Sequence, residues 1–143
     1  MSHARQQIRD YVVNLLKTTG YTTYPFRKLP VNKLPVIGVY TGTEDISQEE
    51  GQLAFIQHRD VELTVISIVE GSPIENVMDN MTVSIESKIM SDIFLGGLVY
   101  CVDLTRTNTS IDDSGETEKG LITMTFSVKC LTENGHPEIL LKG

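Results

Sequence analysis

Between Leu98 and Leu131 the chain carries two long alternating apolar–polar runs joined by a polar turn, and this pair limits the possible folds more than any other feature. Leu121 to Leu131 sets Ile122, Met124, Phe126, Val128 and Cys130 against Thr123, Thr125, Ser127 and Lys129. Leu98 to Ser110 places Leu98, Tyr100, Val102 and Leu104 on one side. Successive strand side chains point to opposite faces, so a period of two means one buried face and one face toward water. The spacing predicts a long hairpin whose arms are about twice the usual five to six residues. Strands of that length need their edges managed.

Leu53 to Val69 adds a third long strand, with Val61, Leu63 and Val65 alternating with Asp60, Glu62 and Thr64. Ile66 and Ile68 then take the other parity. Such a slip predicts either a β-bulge or an end buried on both faces. Val36 to Tyr40 reads as a short strand, followed by an acidic loop over Thr41 to Gly51. Helical spacing appears twice. Ile8, Val12, Leu15 and Leu16 form one face of Ala4 to Thr18, with Gly20 as a C-cap. Ile74, Val77, Met78, Met81, Ile85 and Ile89 form another through Met90, and its methionines read as core. Ser72-Pro73-Ile74-Glu75 predicts a capped start, with Ser72 as cap and Pro73 as first helical residue. Between Tyr24 and Pro35, prolines at 25, 30 and 35 exclude a helix and a central strand, leaving an extended arm. The expected fold is α+β: a mostly antiparallel sheet with a long β-hairpin, packed against two helices. We expect one domain over 1–131 and a patternless C-terminal tail over 132–143.

The 143 residues are 40% hydrophobic and 22% charged, which is globular and not disordered composition. The net charge is −7 with no Lys/Arg-rich run, which argues against a nucleic-acid-binding surface. No apolar run approaches the roughly 20 residues of a bilayer span. The polar N-terminus lacks an apolar signal core, so a cytoplasmic protein is expected. Cys101 and Cys130 form no Cys-x-x-Cys and read as small buried side chains, with a disulfide open if their strands pair.

No dinucleotide, P-loop, nucleophile-elbow or His-Glu-x-x-His motif occurs. His58, Asp60 and Glu62 share one strand face, and a His-x-Asp pair can bind zinc or iron; a solvated face explains them more simply. The turn bearing Asp112, Asp113, Glu116 and Glu118 lacks calcium-loop ligand spacing. We therefore expect no catalytic residues, metal or cofactor. What remains is a separation of charge: a basic arm of Arg27, Lys28 and Lys33, an acidic stretch of Glu44, Asp45, Glu49 and Glu50, and the acidic turn. These are the candidate subunit-interface residues.

The stretches Leu34-Pro35-Val36-Ile37-Gly38-Val39-Tyr40, Arg59-Asp60-Val61-Glu62-Leu63-Thr64-Val65, Glu86-Ser87-Lys88-Ile89-Met90-Ser91-Asp92 and Asp112-Asp113-Ser114-Gly115 resemble the tail terminator proteins of long-tailed bacteriophages, the minor tail protein U type. The resemblance also lies in element order, as far as about Leu131. It implies a structural, non-enzymatic protein that forms a ring, generally hexameric, at the head-proximal end of the tail tube. The implied partners are other copies of the chain, the tail tube protein and a head-completion or neck protein, with DNA only passing through the lumen and no membrane. The implied location is the virion tail, after assembly in the host bacterial cytoplasm. A neck or head-completion protein is the nearest alternative, and a small metal-dependent enzyme using His58, Asp60 and Glu62 the more distant one.

Overall fold

The computed structural model describes residues 2–141. The elements run α1 (Ala4–Lys17), β1 (Thr22–Tyr24), β2 (Val36–Gln48), β3 (Ile56–Glu70), α2 (Ile74–Met90), β4 (Cys101–Asp112), β5 (Lys119–Glu133) and β6 (His136–Leu140). The strands form one sheet in the order β1-β2-β3-β5-β4, with β6 pairing β5 beyond the end of β4. Only β1 runs parallel to its neighbour. Both helices lie on one face, giving the expected two-layer α+β arrangement.

The centre of the sheet is the unbroken β3–β5 ladder, from Ile56 opposite Glu133 to Glu70 opposite Lys119. At about 3.4 Å per residue it spans roughly 45–50 Å. Its inner face sets Val61, Leu63, Val65, Ile122, Met124, Phe126 and Val128 against Ile8, Val12 and Leu16 of α1 and Met78, Met81, Ile85 and Ile89 of α2. The outer strands β2 and β4 lose register at one level, at Thr41/Glu44 and Leu104/Arg106, on either side of the Leu63–Phe126 row. Extra residues increase local twist, so paired irregularities there bend the sheet around its core.

Four expectations are corrected. The acidic loop after Tyr40 is the distal half of β2, paired with β3 as far as Gln48 opposite Gln57. Its side chains are polar on both faces, so no period of two survives. The segment after Glu133 holds β6; Gln7 Nε2 on α1 donates to the Glu138 carbonyl at 2.9 Å, and Leu140 packs against the core. Ser72 makes no cap bond: Pro73 is extended and occupies the cap position, so the helix begins at Ile74. The chain entering it is held instead by the Gly71 N–H, which donates to the Glu118 carbonyl of the hairpin. Leu98 lies ahead of β4, which starts at Cys101 and not at Leu98. The parity slip at Ile66 is not a bulge in β3, because its register to β5 is continuous. Ile66 and Ile68 are half-buried because the proline arm crosses the sheet's other face. A Cβ on Gly38 would meet the Phe26 carbonyl oxygen at 2.5 Å, Leu29 Cδ2 at 2.8 Å and Ile66 Cγ1 at 3.2 Å.

Candidate subunit interface

The sheet ends on two different free edges. β4 pairs only with β5, so its outer edge is open along Cys101–Asp112. β1 covers β2 only over Val36–Gly38, so the outer edge of β2 is open from Thr41 to Gln48. Open backbone edges are templates for another chain. The face away from the helices is also uncovered over much of its area and is polar. Asp45, Asp60, Glu62 and Asp103 lie on it, against Arg106 and Lys129.

The basic arm stands at the β2 side of this face. The Arg27 guanidinium lies 4.4 Å from the centre of the Tyr40 ring, a cation–π contact. Lys28 and Lys33 are exposed. Val31, 58% exposed, borders a groove of about 420 Å³ whose walls include Ile68, Ile111 and Leu121. The ion pairs among the described residues are Arg5–Glu44, Arg59–Glu44, His58–Glu49 and His136–Glu138, so none joins the arm to an acidic segment of its own chain.

The acidic candidates separate into distinct environments. Glu44 is consumed internally. Its carboxylate accepts from Arg59 at 2.7 Å and lies 3.5 Å from Arg5, with Glu44 and Arg59 side chains both below 10% exposed. Arg59 also donates to Thr132 Oγ1 at 2.8 Å and Gln57 Oε1 at 3.0 Å, tying β2, β3 and β5 together. The sequence reading missed this network. Its signal was a cation at the core-facing parity of Val61 and Leu63. Asp45 is exposed and opposite Asp60 in register. Glu49 meets His58 Nε2 at 2.5 Å, and Glu50 is exposed. In the hairpin turn the Ser114 N–H and hydroxyl donate to Asp112 at 3.0 and 2.6 Å, which holds that carboxyl below its ordinary range. Asp113, Glu116 and Glu118 are exposed beside it.

His58, Asp60 and Glu62 do share a face, but each has other surroundings. His58 lies between Glu49 and the Tyr100 hydroxyl, 3.4 Å away; Asp60 accepts from the Ser127 hydroxyl at 2.6 Å; Glu62 lies beside Gly42. Among the described residues no three His, Cys, Asp or Glu side chains gather as metal ligands. Burial pushes the Tyr100 hydroxyl up. Both cysteines are free. Their strands do pair, but Cys101 stands opposite Lys129, so it and Cys130 project from opposite faces. Cys130 is buried, which pushes its thiol up to about 12; Cys101 is half-buried and its thiol is raised first by its hydrogen bond to Asp103.

The end of the sheet where β3 begins exposes large apolar side chains: Ile46, Leu53, Phe55, Ile93, Phe94 and Tyr100. A pocket of about 370 Å³ opens there, lined mainly by Phe94, Leu98, Val99, Tyr100, Leu131 and Leu141. Sequence reading did not single it out, because its walls come from three separate segments. No helix among the described residues is long and apolar enough to cross a membrane.

No family model matches the chain, and no curated protein matches it. Among solved structures it is similar to a chain described as "Virion of native gene transfer agent (GTA) particle", with 11% identity, a TM-score of 0.38, and coverage of 89% of this chain and 92% of that one.

Proposed function

We propose that the chain is a structural, non-enzymatic protein of a phage-like virion, a tail terminator whose copies close into a ring at the head-proximal end of the tail tube. The observation that carries this is the pair of unlike free edges on one sheet. An edge that meets a different edge on the next copy gives a head-to-tail contact, which closes into a ring when the rotation between neighbours divides a full turn. The sequence stretches that resemble tail terminators support the same role. The proposed partners are the tube protein on one side of the ring and a head-completion or neck protein on the other. The open polar face of the sheet is assigned to the channel, where a chain of net charge −7 lets DNA pass without holding it. Negative-stain microscopy of the purified protein tests the ring. Closed particles of one size are expected; a dispersed monomer, or open filaments, overturns the reading. Capture of the ring by tube ends separates a terminator from a neck protein, which binds the portal side instead.

A further inference from the structure

We propose that in the ring the flank of α2 bearing Asp79 and Glu86 packs against the flank of α1 bearing Arg5 and Arg9 on the next copy, beside a contact of β4 with that copy's β2. This deepens the ring reading and rests on it. The antiparallel ladder β2-β3-β5-β4 leaves β4 running opposite to β2. A copy carried round by rotation, with its helices on the same side, therefore continues the antiparallel alternation when its β2 meets this β4. The helix layer has a step in the same place. Thr107 and Thr109 stand opposite the core residues Met124 and Ile122, yet they and Ile111 are exposed, so α2 stops short of the distal half of β4. On the other side of the sheet α1 reaches the free edge of β2. There Arg9 Nη1 donates to Thr41 Oγ1 at 3.4 Å, and Arg5 Nε lies 3.5 Å from Glu44. In a continued sheet the next copy's α1 enters the step.

Charge distinguishes the two flanks. Val77 and Asn80 border a cavity shared with Tyr21 and Pro35, which puts them on the β1 side of α2. Helical geometry then places Glu75, Asp79, Thr82 and Glu86 on the flank toward β4. The three acids are exposed, and none joins an ion pair among the described residues. On α1, Arg9 likewise meets no carboxylate among the described residues, and its buried Nε has no hydrogen-bond partner. The Arg5 side chain stays 43% exposed beside Glu44. Within one copy β3 and β5 separate the acidic flank from the basic one. They are complementary only between copies, where each accompanies a free sheet edge in the same helix layer. The two patches differ, so the contact is head-to-tail, as ring closure requires.

The test reverses each flank in turn. Asp79→Lys with Glu86→Lys changes two exposed, unpaired side chains, and Glu75 is kept because an acid in the first turn favours the helix. This chain is expected to stay folded by circular dichroism and to lower the ring fraction at least tenfold at fixed concentration in sedimentation. Arg9→Glu is expected to do the same. Mixing the two chains is expected to restore rings, in which the variants alternate and every α2 flank again faces an opposite charge on α1. Parental rings from Asp79→Lys with Glu86→Lys overturn the flank contact and leave the ring reading standing, whether or not Arg9→Glu folds. A mixture of the two folded variants that stays monomeric overturns the contact as well. A parent protein that stays monomeric at every concentration overturns both.

Discussion

Arg59 is the residue on which the distal end of the sheet depends. It lies on the core-facing parity of β3, yet it is charged, and its guanidinium is satisfied by Glu44, Thr132 and Gln57. Removing one partner of a buried ion pair strands the other, at a cost of about 3–5 kcal/mol. Arg59→Ala is therefore expected to lower stability by about that amount, read by denaturant unfolding, and Glu44→Gln by less because it keeps an acceptor. If Arg59→Ala melts like the parent, the network contributes nothing. Cys130 offers a second test. Its folded thiol keeps its proton to about 12 against an ordinary 9.0. Between those values the unfolded state binds fewer protons than the folded state, so stability falls as pH rises, by up to about 1.4 kcal/mol per pH unit. Cys130→Ala should flatten that alkaline slope. In the native protein at neutral pH, Cys130 should resist a thiol reagent, and denaturation without reductant should release two thiols. Site legibility in the sequence was uneven at this scale. The sequence displayed the arm's charges because proline and lysine are exposed wherever the arm goes. It hid Glu44's role, since one acid among Glu44, Asp45, Glu49 and Glu50 looks like another until a partner strand is placed beside it.

Each element's legibility followed how much of it one face buries. β5 alternates through five buried side chains from Ile122 to Cys130, and the apolar stripe of α2 was read to its end at Met90. β6 and the distal half of β2 bury too little for a pattern, so their pairing is set by neighbours the sequence does not display. The capping box failed because Gly71 is held by the hairpin and Pro73 remains extended, a tertiary constraint overriding a local signal. The proline arm lies between these cases. It was legible as an arm, but its seat over Gly38 was not. Gly38 is there because any Cβ would strike the Phe26 carbonyl oxygen, part of a backbone that cannot rotate aside. Gly38→Val is expected to lift the arm, making it susceptible to proteolysis near Arg27 and Lys28 while most of the sheet ladder remains. Unchanged cleavage would show that the arm is held by other contacts.

At the scale of the whole molecule, acids outnumber bases by nineteen to twelve. The arm's bases stand at one side, and if they meet acids of the next copy their contact is a solvent-exposed rim. Exposed pairs are worth under about 1 kcal/mol each and are screened by salt. Reversing Arg27 and Lys28 to Glu should then shift the ring toward monomer in sedimentation, and high salt should weaken the parent ring without abolishing it, because backbone pairing of the strand edges is not screened. The open sheet face makes the opposite demand. Duplex DNA is held by Lys and Arg that displace its condensed counterions, and affinity grows with the number of phosphates neutralised. Away from the arm, Asp45, Asp60, Glu62 and Asp103 outnumber Arg106 and Lys129 on this face, and in a chain of net charge −7 it offers no excess of cations to replace those ions. The purified ring should therefore leave duplex DNA unretarded in a gel even at about 50 mM salt. Asp45, Glu62 and Asp103 are exposed, so Asp45→Lys, Glu62→Lys and Asp103→Lys together should preserve the fold while inverting the face. That variant should retard DNA, and the retardation should fall steeply as salt rises. Retardation by the parent would remove the conduit role. A folded triple variant that forms rings and still ignores DNA would turn this face away from the channel, and leave the helix-covered side of the subunit as the one that lines it.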